Sequence, residues 1–352
     1  MKRSSRSRFS AGRAIQTCGA FGHHVLASRA VAALLGVALA VAPCILGATP
    51  AAAQDTMARV RARGVLRCGA VERPGIAEAP PTGGIVGVAV DICRAVGVAV
   101  LGAKGRVAFR LYETTQDFNA VRRWQDDLAF LTGGEIAEQA LGARILPGPR
   151  IAIDQMAVMV PQASPARGLD GLAGQTVCMM TGSEAQRAME SAVTARHIPI
   201  ARLMFQEDVE MLDAYNAGRC DAVAGGETYL AEMRLTPGVR GVASRLLPDS
   251  LGAESFVAVT NPADGAWAAR VAWVFNALLL AGGTASPWHA AGVDASPVKA
   301  LPGLQPDWAH QVTAAVGSYA DIVRRNLTDR LGLPPGPNAP WPNGIQVPVA
   351  VH

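Results

Sequence analysis

Short apolar runs and helical patterns alternate along the chain from residue 64 onward. The run "GVLRCGAV" (64–71) is typical of a buried strand, and "VAVDICRAVGVAVLG" (88–102) begins as a strand and continues as a helix. "RVAFRLYE" (106–113) predicts a second strand, "TTQDFNAVRRW" (114–124) a helix, and "DDLAFLTGG" (126–134) a further strand. Strands that alternate with helices indicate a mostly parallel sheet with both faces covered.

The same alternation restarts after the extended segment "LPGPRIAIDQMAVMVP" (146–161). Ser183 is placed to begin the first helix of this second run, and Gly218 to close the next one. The sequence therefore predicts a second α/β unit, which contains a strand and a helix (169–193), a strand (201–206), a helix (207–218) and a strand (219–226).

The segments that follow return to the first unit. "AESFVAVT" is extended, and "GAWAARVAWVFNALLLAG" (265–282) predicts a long apolar helix packed on the first unit. The second unit is thus inserted into the first, with extended crossings near residues 151–160 and 253–260. A ligand is expected in the cleft at the strand ends. We expect an α/β fold of two lobes joined as a hinged clamp, in which residues 54–155 and 253–352 form lobe 1 and residues 156–252 form lobe 2.

The first 53 residues are typical of an export signal. Basic residues precede an apolar run from Ala30 to Ala48, and small residues mark a cleavage site after Ala53. A membrane anchor is the alternative, but Pro43 interrupts the run, and a span requires about 20 apolar residues. Pro43 also makes a poor context for a lipid anchor at Cys44. We expect cleavage of residues 1–53 and a periplasmic protein.

The net charge changes once this signal is removed. The signal carries six of the 32 lysines and arginines and no acidic residue, so 26 basic residues remain against 28 acidic ones, a net charge of −2. The pI of about 8.9 therefore belongs mostly to the signal. The remaining sequence has no basic and aromatic patch typical of nucleic-acid binding, and no apolar run of membrane-spanning length.

Four cysteines remain after cleavage, which agrees with an oxidising compartment. They allow three pairings, among which the sequence alone does not choose. Proximity within one local unit favours Cys68 with Cys93 and Cys178 with Cys220. A zinc site is the alternative, yet the sequence has no C-x-x-C motif and its histidines are scattered. We therefore predict no metal and no cofactor.

Several ordered pieces of the chain resemble a known family. They run from about residue 57 to 348 and are "VRARGVLRCGAV", "VDICRAV", "LDGLAGQTVCMMTG", "AYNAGRCDA", "VGSYADIVRRNL" and "GPNAPWPNGIQVP". Together they resemble the family 3 solute-binding proteins of bacterial amino-acid ABC transporters, above all the general L-amino-acid binding branch. The resemblance implies an export signal, a clamp that closes on a small polar solute, delivery to an inner-membrane permease, and the two disulfides favoured above.

The positions that bind the amino acid in this family are where the resemblance fails. The arginine that holds the α-carboxylate aligns with Ala137, and the hydroxyl run before it is reduced to Thr132–Gly134. The aromatic side chain that covers the ligand aligns with Ile76. In lobe 2, "GSEA" replaces the threonine cluster and keeps the hydroxyl of Ser183. The aspartate that takes the α-amino group aligns with Gly226.

Acidic residues stand beside these positions. Glu227 would restore an amine acceptor, or it is a solvated residue at a helix start, and the same two interpretations apply to Glu135 and Glu184. Arg73 and Arg144 would supply a carboxylate partner, although arginines are mostly exposed. If the three glutamates face the cleft, it attracts a cation or a polyhydroxy compound and repels the carboxylate of a free amino acid. The candidate ligand-binding residues are Ile76, Thr132, Gly134, Glu135, Thr181, Ser183, Gly226 and Glu227.

Three functional classes remain open from the sequence. A monomeric transport receptor, whose ligand need not be a standard amino acid, fits the full-length resemblance. A periplasmic accessory or sensor protein that has lost solute capture and binds a protein partner is the alternative. An enzyme would require a positioned acid, base or nucleophile. Glu135 is a nominal candidate for the acid, and the sequence contains no recognised catalytic motif. We therefore predict no catalytic residue.

Overall fold

The computed structural model of the protein describes residues 55–113, 117–138, 144–235, 243–281, 301–340, 343–344 and 346. The predicted export signal, residues 1–53, lies outside these ranges, as does part of the C-terminal piece that resembles the family. Within them, no helix combines the length and the apolar character needed to cross a membrane.

Nine strands of the described residues form one mixed sheet in the order β2-β1-β3-β9-β4-β7-β5-β6, with β8 beside β4. β1 runs parallel to β2 and β3, and β5 runs parallel to β6 and β7. We call β1 to β3 with their helices the first half, and β5 to β7 with theirs the second half. The strands are β1 (Val65–Val71), β2 (Arg106–Tyr112), β3 (Leu128–Thr132), β4 (Leu146–Pro161), β5 (Thr176–Met180), β6 (Ala201–Phe205), β7 (Ala222–Gly226), β8 (Ser244–Leu246) and β9 (Gly252–Thr260).

Strands β4 and β9 join the two halves. β4 pairs antiparallel with β9 from Leu146 to Met156, and with β7 from Met156 to Met159. β9 also pairs antiparallel with β3 of the first half. These strands are the extended crossings that the sequence predicts, and the α/β architecture is confirmed.

Helices cover the sheet and form its apolar cores. In the first half, Trp267 is fully buried, and its indole nitrogen donates a hydrogen bond of 2.7 Å to the carbonyl of Asp127. The second half has separate clusters, one around Val177 and Met189 and another around Tyr215. The helices are α1 (Thr56–Arg63), α2 (Val88–Leu101), α3 (Gly133–Glu138), α4 (Glu184–Ala195), α5 (Asp208–Asn216), α6 (Glu227–Leu235) and α7 (Gly265–Ala281), followed by Trp308–Val316, Tyr319–Val323, the π-helical turn Arg324–Thr328 and Asp329–Leu331.

Two sequence predictions of local structure were wrong. The segment 88–102 has no strand, because α2 begins at Val88 and its apolar residues are buried by packing that outweighs their strand preference. The segment 114–124 has no α-helix in its described part, which holds a 3₁₀ turn at Asp117–Asn119. The amide of Asn261 donates to the carbonyls of residues 121 and 122, which a continued helix would use internally.

Both favoured cysteine pairings are confirmed. Cys68 in β1 is joined to Cys93 in α2, with their Cα atoms 6.4 Å apart. Cys178 in β5 is joined to Cys220, just before β7, at a Cα separation of 5.7 Å. Each disulfide therefore ties neighbouring elements within one half of the sheet.

Candidate functional site

A cavity of about 780 Å³ lies between the two halves. Its lining comes from the carboxyl ends of β1, β3, β5, β6 and β7, and from β4 and β9. Open α/β sheets bind ligands at this edge, and cavities of this volume suit small molecules. The cavity lies where the sequence predicts the cleft.

The described lining of this cavity is strongly acidic. It contains nine carboxyl side chains and three arginines, so carboxyl groups outnumber cations by six. Each of these arginines also has an acidic partner within the lining. A negative potential in the cavity follows from this composition. The pairs are Arg73 with Glu135, Arg187 with Glu184, and Arg330 with Glu78.

Asp154 brings a buried carboxylate from β4 into the cavity lining, with 6% of its surface exposed. Its Oδ1 accepts the backbone N–H of Thr228 and its Oδ2 accepts the Thr228 hydroxyl, both at 3.0 Å. Thr228 lies in the first turn of α6, so Asp154 caps this helix from a neighbouring strand. Burial raises the pKa of Asp154 from 3.8 to about 7, and the charges of Glu227 and Glu254 act in the same direction.

Gly226 leaves the space that this carboxylate occupies. Gly226 is the last residue of β7 and pairs with Met156 of β4, two residues from Asp154. A Cβ atom at position 226 would collide with Oδ2 of Asp154. The family resemblance places an aspartate at position 226, and here a carboxylate from a different strand fills that space.

Glu254 repeats this arrangement on β9. It lies directly opposite Asp154 in the antiparallel pairing of β4 with β9, and it lines the cavity. A Cβ atom at Gly134 would lie 2.9 Å from Oε1 of Glu254. Among the described residues, the Glu254 side chain has no hydrogen bond and no ion pair. Two glycines at the positions expected to bind the ligand thus adjoin two acids from the crossing strands.

Glu135 and Thr132 form a reciprocal cap at the start of α3. Oε2 of Glu135 accepts the N–H of Thr132 at 2.9 Å, and Oγ1 of Thr132 accepts the N–H of Glu135 at 3.1 Å. Oε1 of Glu135 lies 3.5 Å from Arg73. Burial raises the pKa of Glu135, and the charge of Glu254 adds to this effect. Glu135 therefore both begins a helix and lines the cavity.

No family model matches the chain, but known proteins resemble it over most of its length. The chain is 26% identical over 337 residues to the general L-amino acid-binding periplasmic protein AapJ of Rhizobium johnstonii, which covers 88% of this chain and 96% of AapJ. It is 26% identical over 335 residues to the glutamate/glutamine/aspartate/asparagine-binding protein BztA of Rhodobacter capsulatus, covering 87% and 95%. A solved ABC transporter periplasmic binding protein from Brucella ovis with glutathione bound matches at a TM-score of 0.69 and 26% identity, over 85% of this chain and 99% of that one. Over most of its length, the chain is similar to family 3 periplasmic solute-binding proteins.

The structure brings five of the eight predicted site residues to the cavity, namely Thr132, Gly134, Glu135, Ser183 and Gly226. Ser183 begins α4, where its hydroxyl oxygen accepts the N–H of Gln186 at 3.0 Å. Glu184 lines the cavity, is partly exposed and bonds Arg187, as expected for a residue of the first helical turn. The cavity lining therefore contains residues of both halves of the sheet.

Three predicted positions lie outside the cavity lining. Ile76 is fully buried in the core of the first half, which corrects its placement as the cover of the ligand. Thr181 is exposed. Glu227 lies in the first turn of α6, where its Oε2 accepts the amide of Gln155 at 3.3 Å. Burial raises the pKa of Glu227, and its negative charge contributes to the raised pKa of Asp154.

The misplacement of Ile76 has a local cause. The chain turns back after β1, and the N–H of Arg73 bonds the carbonyl of Ala77 at 2.8 Å. Residues 72 to 74 therefore line the cavity, while Ile76 packs into the core. Arg73 does line the cavity, whereas Ala137 and Arg144 are exposed and lie outside its lining.

Sequence reasoning missed the carboxylates of Asp154 and Glu254 and the ring of Tyr229, all of which line the cavity. A signal existed for the two acids, since each interrupts an apolar strand, in "IAIDQMA" and "AESFVAV". A charged residue within a buried strand is informative because it is rarely buried without a partner. Tyr229 bonds Asp208, and burial raises the pKa of its hydroxyl.

Proposed function

We propose that this protein is the exported receptor of an amino-acid-type ABC transporter. It captures a small polar solute between two lobes and delivers it to a permease in the inner membrane. Lobe 1 comprises residues 54–155 and 253–352, and lobe 2 comprises residues 156–252. Residues 1–53 direct export to the periplasm and are then removed. The relatives are solute-binding proteins, and we assign no catalytic step to the cavity.

The observation that carries this proposal is the position of the cavity between two halves that β4 and β9 join. Such a cavity opens and closes when the halves rotate about the strands that connect them. Both halves contribute polar lining residues, including Thr132 from the first and Ser183 from the second. A bound solute would therefore hold the halves together in the closed state.

The ligand is a solute other than a standard amino acid. AapJ is named as a general L-amino acid-binding protein, but here Ala137 stands at the position expected for the carboxylate-binding arginine. The described arginines of the lining already have acidic partners. Because a buried carboxylate without a cation costs several kcal/mol, a free amino acid has no strong site for its carboxylate.

A thermal-shift screen of the mature chain, residues 54–352, tests the receptor function. The panel contains the 20 amino acids, glutathione, sugars, organic acids, betaines and polyamines, with sodium chloride added to equalise ionic strength. A ligand at 100 times its Kd stabilises the folded state by about 2.7 kcal/mol, which raises the Tm measurably.

We expect a rise in Tm with one chemical class and none with most amino acids. Deletion of the gene should then reduce cellular uptake of that class of solute. If no compound of any class raises the Tm, solute capture is contradicted.

A further inference from the structure

The acids of the two crossing strands face each other. Asp154 of β4 and Glu254 of β9 are direct partners in the antiparallel register, and both line the cavity. Like charges that are directly opposite in a sheet destabilise it. A function in ligand binding would account for this unfavourable pair in the lining of the cavity.

Neither acid has a cationic partner among the described residues. Asp154 bonds only Thr228, which uses one acceptor position on each carboxylate oxygen and leaves others open. Among the described residues, the side chain of Glu254 has no hydrogen bond and no ion pair, and Gly134 leaves space beside it. Nearby charges are negative, since Glu227 and Glu254 both act on Asp154.

Arg73, a cation of the cavity lining, is paired with a different acid. Arg73 lies 3.5 Å from Glu135, and Glu135 itself is influenced by the charge of Glu254. A buried carboxylate without a neutralising partner costs several kcal/mol. A positively charged ligand group between the two strands would remove this cost and gain charge-assisted hydrogen bonds.

We infer that the solute carries an ammonium or guanidinium group, which Asp154 and Glu254 bind in the cavity. This inference rests on the proposed receptor function, and it names the class of solute. The cavity itself is a ligand site on grounds other than charge, because it lies at the strand ends between the two halves. Its volume of about 780 Å³ accommodates an organic cation.

Calorimetric titration of the mature chain at pH 8 tests the assignment, with putrescine, spermidine and agmatine as cationic probes. Glutamate is the anionic probe, and calcium chloride tests for binding of a metal ion alone. The variants are Asp154→Asn and Glu254→Gln, which remove charge with little change in size. Glu210→Gln is the matched control, because Glu210 is an exposed acid of α5 outside the cavity lining.

At least one organic cation should bind the unaltered protein, and either variant should weaken it by at least about tenfold. Glu210→Gln should change the Kd by less than about twofold. Circular dichroism checks that each variant folds. If Asp154→Asn does not fold, Glu254→Gln still tests the proposal, because the Glu254 side chain has no bond in the described chain that its loss would break.

Three results would overturn the inference. The first is binding of organic cations to both variants as tightly as to the unaltered protein. The second is binding of glutamate without binding of the cations. The third is binding of calcium without binding of the organic cations. In each of these cases, the broader ligand screen tests the receptor function independently of the inference. If no compound of that screen binds either, the proposed function fails together with the inference.

Discussion

The carboxylate of Asp154 occupies the space that a side chain at position 226 would need. A Cβ atom at 226 would collide with Asp154, so a glycine there and an acid on β4 depend on each other. Position 226 is where the family resemblance places the acid that takes an amino group. The negative charge is therefore retained at this part of the cavity, but it comes from β4 instead of β7.

Replacing Gly226 with alanine should displace the Asp154 carboxylate and break its bonds with Thr228. We expect a loss of about 1–3 kcal/mol in the free energy of unfolding, the usual cost of overpacking. Urea unfolding measures it. Gly133→Ala is the control, since a Cβ atom there meets nothing within 4 Å and the residue begins α3. If the two variants were equally stable, a side chain at position 226 would not compete with Asp154 for space.

The pKa of Asp154 predicts how stability depends on pH. Burial raises this pKa from 3.8 to about 7, so the folded state holds the proton more tightly than the unfolded chain does. The resulting stability is complete below pH 4 and is lost as the pH rises through about 7, with a slope of up to about 1.4 kcal/mol per pH unit.

Asp154→Asn should remove part of this decline, because the amide does not ionise. Urea unfolding at pH 4.5, 6 and 8, without ligand, measures the difference. Glu135 and Glu227 keep their own raised pKa values in the variant, so a shallower decline remains. Parallel profiles for the variant and the unaltered protein would show that Asp154 does not titrate in this range.

At the scale of elements, β4 carries both the crossing and the Asp154 carboxylate. Its pairing with β7 begins at Met156, so Ile153 lies beyond that strand. Asn338 takes the place of a strand there: its Oδ1 accepts the N–H of Ile153 and its Nδ2 donates to the carbonyl, both at 2.8 Å. Asn338 belongs to the C-terminal piece that resembles the family. That piece therefore fixes the strand next to the cavity.

Asn338→Ala should leave the N–H and C=O of Ile153 without partners. We expect a loss of about 2–4 kcal/mol in the free energy of unfolding, since each buried unsatisfied group costs about 1–3 kcal/mol. Asn343→Ala is the control, because Asn343 is exposed and should change stability by less than about 0.5 kcal/mol. A value for Asn338→Ala as small as the control's would mean that the amide does not hold β4.

Each disulfide closes a loop within one half of the sheet, with sequence separations of 25 and 42 residues. Loop-closure entropy predicts a loss of roughly 3–4 kcal/mol for removal of either one. Equilibrium unfolding of the double variants Cys68→Ser/Cys93→Ser and Cys178→Ser/Cys220→Ser measures these losses. Unchanged stability in both would contradict the loop-closure account.

The hydrophobic pattern was sufficient to predict most elements and both crossings. Along β1, β3, β5 and β7, the apolar runs and the glycines near them indicate the same strands. It failed at α2, where branched apolar residues suit a strand but helix packing buries them. For the site, the family resemblance led to Gly134 and Gly226, which both line the cavity. It missed Asp154 and Glu254 because a strand pattern does not show which side chains face a cavity between two halves of a sheet.

At the scale of the whole molecule, the two halves have separate apolar cores and share a cavity with an excess of carboxyl groups. Mutual repulsion of these groups favours separation of the halves when the cavity is empty. A cation would bridge the acids and favour closure. On the proposed assignment, charge in the cavity would both select the solute and favour closure of the two halves around it.

The central claim is that this cavity selects a cation over a free acidic amino acid. Calorimetric titration of residues 54–352 at pH 8 and 0.15 M salt, with agmatine and glutamate in parallel, tests it most directly. Our account predicts saturable binding of agmatine and no detectable binding of glutamate. Tight binding of glutamate, with none of agmatine, would show that a cationic group of the protein binds the ligand, and it would contradict the account.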